Sequence, residues 1–107
     1  MIEKYRLRYL PIFYEDLNSC ISYLADVLKN IQAAEKLLDD VESAVLNRLP
    51  FADRYQQIYS DKERKYPYYS IPVGNYVIYY VVIKSDSEKI MEVRRFLHKR
   101  RNIRKII

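Results

Sequence analysis

Tyr76-Val77-Ile78-Tyr79-Tyr80-Val81-Val82-Ile83 is the longest uninterrupted apolar stretch of this 107-residue chain. Its β-branched and aromatic residues favour an extended strand over a helix. Apolar side chains stand at both the odd and the even positions, so both faces of such a strand would be covered by protein. The stretch therefore predicts a central strand of a sheet over residues 76–83.

The residues on either side of this strand predict two antiparallel neighbours. Gly74-Asn75 provides the turn chemistry of a tight hairpin, which joins the central strand to a preceding strand over residues 67–73. After it, Ser85-Asp86-Ser87 turns the chain again, and residues 90–97 return as a third strand. Three consecutive strands of one antiparallel sheet follow from this pattern.

The N-terminal half begins with a strand and continues as two helices. Residues 4–10 alternate polar and apolar side chains, as in a half-buried strand that Pro11 closes. Apolar residues then recur at helical spacing over residues 12–30 and again over 31–49, with Asn30 near the break. Two short-linked amphipathic helices indicate an antiparallel helical hairpin, and Pro50 ends the second helix.

Residues 51–66 are an irregular connection, which Phe51, Tyr55, Ile58 and Tyr59 are expected to attach to the core. The predicted fold class is α+β with the order β-α-α-β-β-β: a mostly antiparallel four-stranded sheet with the N-terminal helical hairpin packed on one face. At this length, residues 1–107 are expected to form one domain.

Positive charge is concentrated at the C-terminal end. Residues 88–107 contain eight Lys or Arg and two Glu, a net charge of +6, whereas the whole chain carries +5, so residues 1–87 carry −1. A focused basic patch attracts polyanions or an acidic protein. The candidate anion- or target-binding residues are Arg94, Arg95, Lys99, Arg100, Arg101 and Arg104. As exposed charges they are expected to contribute little to folding, within about 0.5 kcal/mol each.

Several classes of site are excluded by composition. A lone Cys20 leaves no internal disulfide and no cysteine zinc site, and the single Gly74 excludes a glycine-rich phosphate loop. We expect no metal and no cofactor. Nothing resembles a signal peptide and no apolar run approaches the roughly 20 residues of a membrane span, so a cytoplasmic protein without membrane contact is expected. His98, the one histidine, is either a proton-transfer group among cations or a polar residue at a strand end.

Two stretches of the chain resemble the RelE/ParE superfamily of bacterial toxins. They are Tyr68-Tyr69-Ser70-Ile71-Pro72-Val73-Gly74-Asn75-Tyr76-Val77-Ile78-Tyr79-Tyr80 and Val93-Arg94-Arg95-Phe96-Leu97-His98-Lys99-Arg100-Arg101. The second is similar to a C-terminal signature of the superfamily, in which a strand ends in Leu-His-x-Arg-Arg, and the element order also agrees. The resemblance implies a toxin of a type II toxin–antitoxin module, neutralised by a tightly bound antitoxin that is acidic where it covers residues 94–105.

The superfamily contains two main activities, and the residues that carry the resemblance help to distinguish between them. RelE-like members cut messenger RNA in the ribosome, and ParE-like members inhibit DNA gyrase. The ribonucleases have cations at positions that correspond here to Tyr68, Ser70 and Val77, and a later arginine that corresponds to Arg100.

The missing cations favour gyrase inhibition. The alternative is a metal-independent, ribosome-dependent endoribonuclease in which His98 acts with Arg94, Arg95 or Arg100, so whether the protein is an enzyme stays open. A third hypothesis is a non-toxic domain that binds nucleic acid or a protein partner.

Overall fold

The computed structural model describes residues 4–58, 65–101 and 103–106, and the elements within them follow the predicted order. They are β1 (Arg6–Tyr9), α1 (Pro11–Ser22), α2 (Ile31–Arg48), β2 (Tyr68–Val73), β3 (Tyr76–Lys84), β4 (Lys89–His98) and α3 (Ile103–Ile106). The predicted α+β class is confirmed. The short helix α3 is an addition, because the sequence analysis treated that segment only as a basic terminus.

The four strands form one sheet in the order β1-β4-β3-β2. Strands β2 and β3 pair antiparallel, as do β3 and β4, whereas β1 pairs parallel with β4. Strand β3 is an interior strand, as its two-sided apolar pattern predicts, and Ile78, Tyr80 and Val81 are fully buried. The turn between β2 and β3 places Gly74 at a φ of 57°, a left-handed conformation that glycine adopts without steric cost.

The helical hairpin breaks where the sequence predicts. Pro11 occupies the first turn of α1, where its missing N–H costs no hydrogen bond. A π-helical turn, Tyr23–Val27, follows α1, and Lys29 then adopts a left-handed φ of 55°. The Asn30 side chain caps α2 by accepting a hydrogen bond from the Ala33 N–H at 3.0 Å.

The sheet carries apolar clusters on both faces. The hairpin covers one face, where Phe13 and Leu17 of α1 and Val41 and Val45 of α2 pack against sheet residues that include Phe96. On the other side a smaller cluster forms around buried Tyr68, Tyr79, Val81 and Leu97, and Ile103 and Ile106 of α3 pack against it. Strand β3 is therefore covered from both sides.

The connection after α2 is held in a way that the sequence analysis did not anticipate. Phe51 and Tyr55 are exposed, contrary to expectation, while small Ala52 is fully buried. The Tyr80 hydroxyl donates a hydrogen bond to the Ala52 carbonyl at 2.6 Å. Ile58 is half-buried and bridges Tyr68, as expected of an anchor, and Tyr59 lies outside the described residues. The Tyr80–Ala52 hydrogen bond and the Ile58–Tyr68 bridge, rather than burial of Phe51 and Tyr55, attach this segment to the sheet.

Arg48 connects the end of α2 to the sheet. Its Nη1 donates to the Ser70 carbonyl at 3.1 Å and to the Tyr80 hydroxyl at 2.9 Å, and its guanidinium lies 3.4 Å from the centre of the Tyr55 ring. Burial raises the pKa of Tyr80 to about 12, although Arg48 acts in the opposite direction. The hydroxyl therefore stays protonated and keeps its hydrogen bond over the whole physiological pH range.

Candidate functional site at the end of β4

The register of β4 changes where the basic residues begin. Tyr80 pairs with Val93 and Tyr79 pairs with Arg95, so Arg94 is left without a cross-strand partner in an irregularity of the bulge type. Such a bulge bends the strand and re-aims the side chains next to it. The local geometry of Arg94 and Arg95 is therefore set by the pairing of β3 with β4.

Arg94 belongs to a buried ionic network. Its Nε donates to Glu92 Oε1 at 2.7 Å and its Nη1 to the Tyr68 hydroxyl at 3.2 Å. Glu92 is 4% exposed, and its second oxygen accepts from Arg8 Nε of β1 at 2.7 Å. Burial alone would raise the pKa of the Glu92 carboxyl, but the hydrogen bonds from Arg8 and Arg94 outweigh it and hold that pKa below its ordinary value.

Arg95 is held by α1. Its Nε and Nη2 form a two-pronged contact with Asp16 Oδ2 at 2.7 Å and Oδ1 at 3.0 Å. Asp16 Oδ2 also accepts the backbone N–H of Phe96 at 3.0 Å. Paired β1 residues reach only as far as Val93 along β4, so Asp16 takes up a backbone donor on the part of β4 beyond β1. Asp16 thus fixes the helical hairpin to the end of the sheet.

These contacts correct one expectation. Arg94 and Arg95 are not exposed charges, because their side chains are only 23% and 22% exposed and both are engaged in ion pairs. We therefore expect both arginines to stabilise the fold by more than exposed charges would. A role for either in binding a target remains a prediction.

The acidic partners of these arginines were not predicted from the sequence. Glu92 carries a usable signal, since it is the one acidic residue inside an otherwise apolar strand half and an arginine stands two positions later. Asp16 and Arg8 carry no comparable local signal.

The three cations that follow β4 are more exposed than Arg94 and Arg95. Lys99, Arg100 and Arg101 are exposed in a turn, and none of them makes an ion pair within the described residues. Their backbone is ordered: the Lys99 N–H donates to the Asn75 carbonyl at 2.9 Å, and the Arg101 N–H donates to the His98 carbonyl at 3.0 Å. We call residues 99–101 the basic turn. Arg104 lies in α3, and its side chain is outside the part of the chain that the structure describes.

His98 supports the basic turn. Its Nδ1 accepts a hydrogen bond from the Arg100 backbone N–H at 3.1 Å. Because a backbone N–H can only donate, Nδ1 is the acceptor in this contact. The ring packs edge-on against Tyr76, with 5.6 Å between the ring centres. His98 thus caps the turn through its Nδ1.

The positions at which RelE-like ribonucleases resemble one another are occupied by packing residues. Tyr68 is buried in the smaller apolar cluster, and Val77 packs against it. Ser70 is half-buried, and its carbonyl accepts the hydrogen bond from Arg48. These three residues therefore provide no cations for a scissile phosphate.

An open apolar groove runs along the helical hairpin beside β1. Its volume is about 580 Å³, and Asp39 and Glu42 stand among its otherwise largely apolar lining. The apolar lining includes Leu7, Tyr9, Tyr14, Leu38 and Leu46. Of these, Tyr14, Leu38 and Leu46 are strongly exposed although they are large and hydrophobic. Such a groove is typical of a protein-binding surface.

The described residues contain no group of three or more His, Cys, Asp or Glu side chains that could hold a metal ion. Within the same part of the chain, no helix has the length and apolar character needed to cross a bilayer.

Comparisons with known proteins agree with this architecture. Residues 4–103 match the family model described as the ParE toxin of the type II toxin–antitoxin system, parDE. A solved structure described as the chromosomal ParDE TA system from P. aeruginosa has a similar fold, with a TM-score of 0.66 and 14% sequence identity. The similarity covers 88% of this chain and 95% of that one. No curated protein matches the sequence.

The matched region extends from β1 to the start of α3 and so contains the sheet, the hairpin and the basic turn. The chain belongs to the ParE toxin family of type II toxin–antitoxin systems.

Proposed function

We propose that this protein arrests bacterial growth by binding DNA gyrase and inhibiting it, without hydrolytic chemistry of its own. The observation that carries the proposal is the packing around Tyr68 and Val77, where an apolar cluster under α3 occupies the place of ribonuclease cations. A ribonuclease of this type needs preorganised cations at the scissile phosphate. A binding toxin needs only a stable surface.

The geometry of His98 supports the same choice. A general base must have a free lone pair within reach of the proton that it removes. His98 Nδ1 is engaged with the Arg100 N–H, and the ring is packed on Tyr76. A turn-capping role explains this histidine without catalysis.

The antitoxin partner is the second part of the proposal. Family membership implies a cognate antitoxin, and two surfaces of the described chain are suited to receive one. The basic turn attracts an acidic segment, and the groove beside β1 accepts apolar side chains. We propose that the antitoxin neutralises the toxin by covering these surfaces.

Two assays on the purified protein test the proposed target. In the first, we expect dose-dependent inhibition of supercoiling by DNA gyrase. In the second, purified ribosomes programmed with messenger RNA should show no cleavage at the same toxin concentrations. Prompt cleavage of the message together with unimpaired supercoiling would overturn the proposal in favour of the endoribonuclease.

A pair of His98 variants tests the turn-capping role. His98→Asn keeps an acceptor at the position of Nδ1, whereas His98→Gln moves the polar group away from it. We expect His98→Asn to inhibit supercoiling within about twofold of the unmodified protein. His98→Gln should lose about two- to tenfold in its potency against supercoiling, because one hydrogen bond contributes about 0.5–1.5 kcal/mol.

The same pair separates capping from catalysis. If His98 were catalytic, both variants would lose about 10²–10⁴-fold in the rate of messenger RNA cleavage, since neither amide side chain can exchange a proton. Equal and large losses in both, with unchanged melting temperatures, would contradict the capping role.

A further inference from the structure

The tip of the helical hairpin exposes apolar side chains in an unusual concentration. Tyr23, Val27, Leu28 and Ile31 are between 51% and 65% exposed. Single exposed apolar residues are common on soluble proteins, but here four lie within nine residues of one hairpin. We call this group the hairpin tip.

The hairpin tip is a formed structure. Tyr23 and Leu24 both belong to the π-helical turn. The N–H of Leu28 donates to the Tyr23 carbonyl at 3.0 Å, and the N–H of Asn30 donates to the Leu24 carbonyl at 2.9 Å. Lys29 holds a left-handed φ that is uncommon for a residue other than glycine. π-helical turns and left-handed residues are frequently found at functional sites. The tip therefore presents its apolar side chains on an ordered backbone.

Neighbours of the hairpin tip and of the basic turn line one shallow groove. Leu24, which precedes Val27 by one turn, lines a shallow groove together with Asn75 and Tyr76 of the β2–β3 hairpin. The Asn75 carbonyl accepts the Lys99 N–H, and the Tyr76 ring contacts His98. This groove thus connects the π-helical turn of the tip to the β2–β3 turn that holds the backbone of the basic turn.

We propose that the hairpin tip and the basic turn form one surface that binds the cellular target. The site on the target is a protein patch in which an apolar pocket is bordered by carboxylates. The inference rests on the proposed function, because it locates the surface that would engage gyrase. It is separate from the groove beside β1, which the proposed function assigns to the antitoxin.

The chemistry of the surface favours protein over nucleic acid. Aliphatic Val27, Leu28 and Ile31 gain free energy by entering an apolar pocket, and they cannot hydrogen-bond to phosphate or to base edges. Lys99, Arg100 and Arg101 have no ion-pair partner within the described residues, so they are free to form ion pairs with carboxylates of the target. Apolar side chains beside basic residues are complementary to a protein surface that has an apolar pocket beside acidic residues.

Two double variants and a matched control test the surface. Val27→Ser/Leu28→Ser alters the hairpin tip, and Lys99→Glu/Arg101→Glu reverses the charge of the basic turn. The control, Ile12→Ser/Phe51→Ser, changes two apolar residues that lie outside the hairpin tip, the basic turn and the groove beside β1 and are 38% and 36% exposed. Because all six side chains are exposed, their replacement should leave the melting temperature nearly unchanged.

Each protein is expressed in a bacterial host at matched soluble levels, and growth arrest and half-inhibitory concentrations for gyrase supercoiling are measured. We expect both surface variants to lose growth arrest and to need at least about tenfold more protein to inhibit supercoiling. The Ile12→Ser/Phe51→Ser control should remain as active as the unmodified protein. A second tip variant, Leu28→Gln/Ile31→Gln, should reproduce the loss, which guards against a folding defect in the first.

The outcomes distinguish this inference from the proposed function. Absence of growth arrest by the unmodified protein at high soluble levels would overturn the proposed function. Growth arrest by the unmodified protein and by both tip variants alike would overturn the inference and leave the proposed function standing. Loss in the charge-reversal variant alone, with tip variants fully active, would also overturn it, because a polyanion would then be the occupant.

Discussion

Replacement of Glu92 by alanine is expected to lower the free energy of unfolding by about 3 kcal/mol, the lower end of the range for breaking a buried ion pair. Glu92 is almost completely buried, and it accepts hydrogen bonds from Arg8 and Arg94 on its two oxygens. Its removal leaves the Arg94 guanidinium, which is only 23% exposed, without its carboxylate. The low end applies because the Arg8 side chain can turn to solvent.

The matched control is Glu88→Ala in the turn before the same strand. Glu88 is exposed, and its Oε2 lies 3.6 Å from Arg6 Nη1. This variant therefore loses a surface ion pair that contributes about 0.2–1 kcal/mol. Urea unfolding at pH 7 measures both variants. Equal losses for Glu92→Ala and Glu88→Ala would show that the buried network does not stabilise the fold.

The same network predicts acid sensitivity. The pKa of the Glu92 carboxyl is held below its ordinary value of 4.5, so the folded state binds the proton of this group less readily than the unfolded chain. Its contribution to stability is complete above that ordinary value, and it is lost as the pH falls through the lowered pKa of the folded protein.

A comparison with Glu92→Gln isolates this contribution. The pKa of Asp53 is also lowered, chiefly by its hydrogen bond from Lys84, but Asp53 is present in both proteins and its contribution cancels. We expect the unmodified protein to lose more stability than Glu92→Gln between pH 5 and pH 3, measured by urea unfolding at each pH. Parallel curves would contradict the assignment.

Replacement of Ile78 by alanine is expected to cost about 2–5 kcal/mol. Ile78 is fully buried on β3 in the cluster between the sheet and the helical hairpin, so the missing atoms leave a cavity. Large packed neighbours do not collapse fully into such a space. Urea unfolding measures the loss.

Ile83→Ala on the same strand is the control for this variant. Ile83 is only partly buried at the edge of the smaller cluster, so its truncation removes less packing and leaves no closed cavity. We expect a clearly smaller loss than for Ile78→Ala. Similar losses at the two positions would mean that β3 is less enclosed than the structure shows.

The sequence alone determined the elements whose signals are local. The two-sided apolar pattern of residues 76–83 placed β3 inside the sheet, and Gly74 and Asn30 marked the β2–β3 turn and the break between the helices. Each of these signals depends on the conformational preference of a few neighbouring residues, which is the same before and after folding. The concentration of charge at the C-terminus is equally a property of the chain.

Only the tertiary structure decided how that charge is used. It divided the predicted basic patch in two: Arg94 and Arg95 are held in ion pairs, while the basic turn stays exposed. The Arg95 partner, Asp16, lies 79 residues earlier in the chain, and no periodicity links the two positions.

The connection after α2 shows the same limit. Hydrophobicity predicted Phe51 and Tyr55 as its anchors, yet buried Ala52 is the residue that the Tyr80 hydroxyl holds. Which side chain is buried depends on the space left between elements that meet only in the folded protein. Patterns along the chain therefore predict its elements, whereas partners across the fold follow from packing.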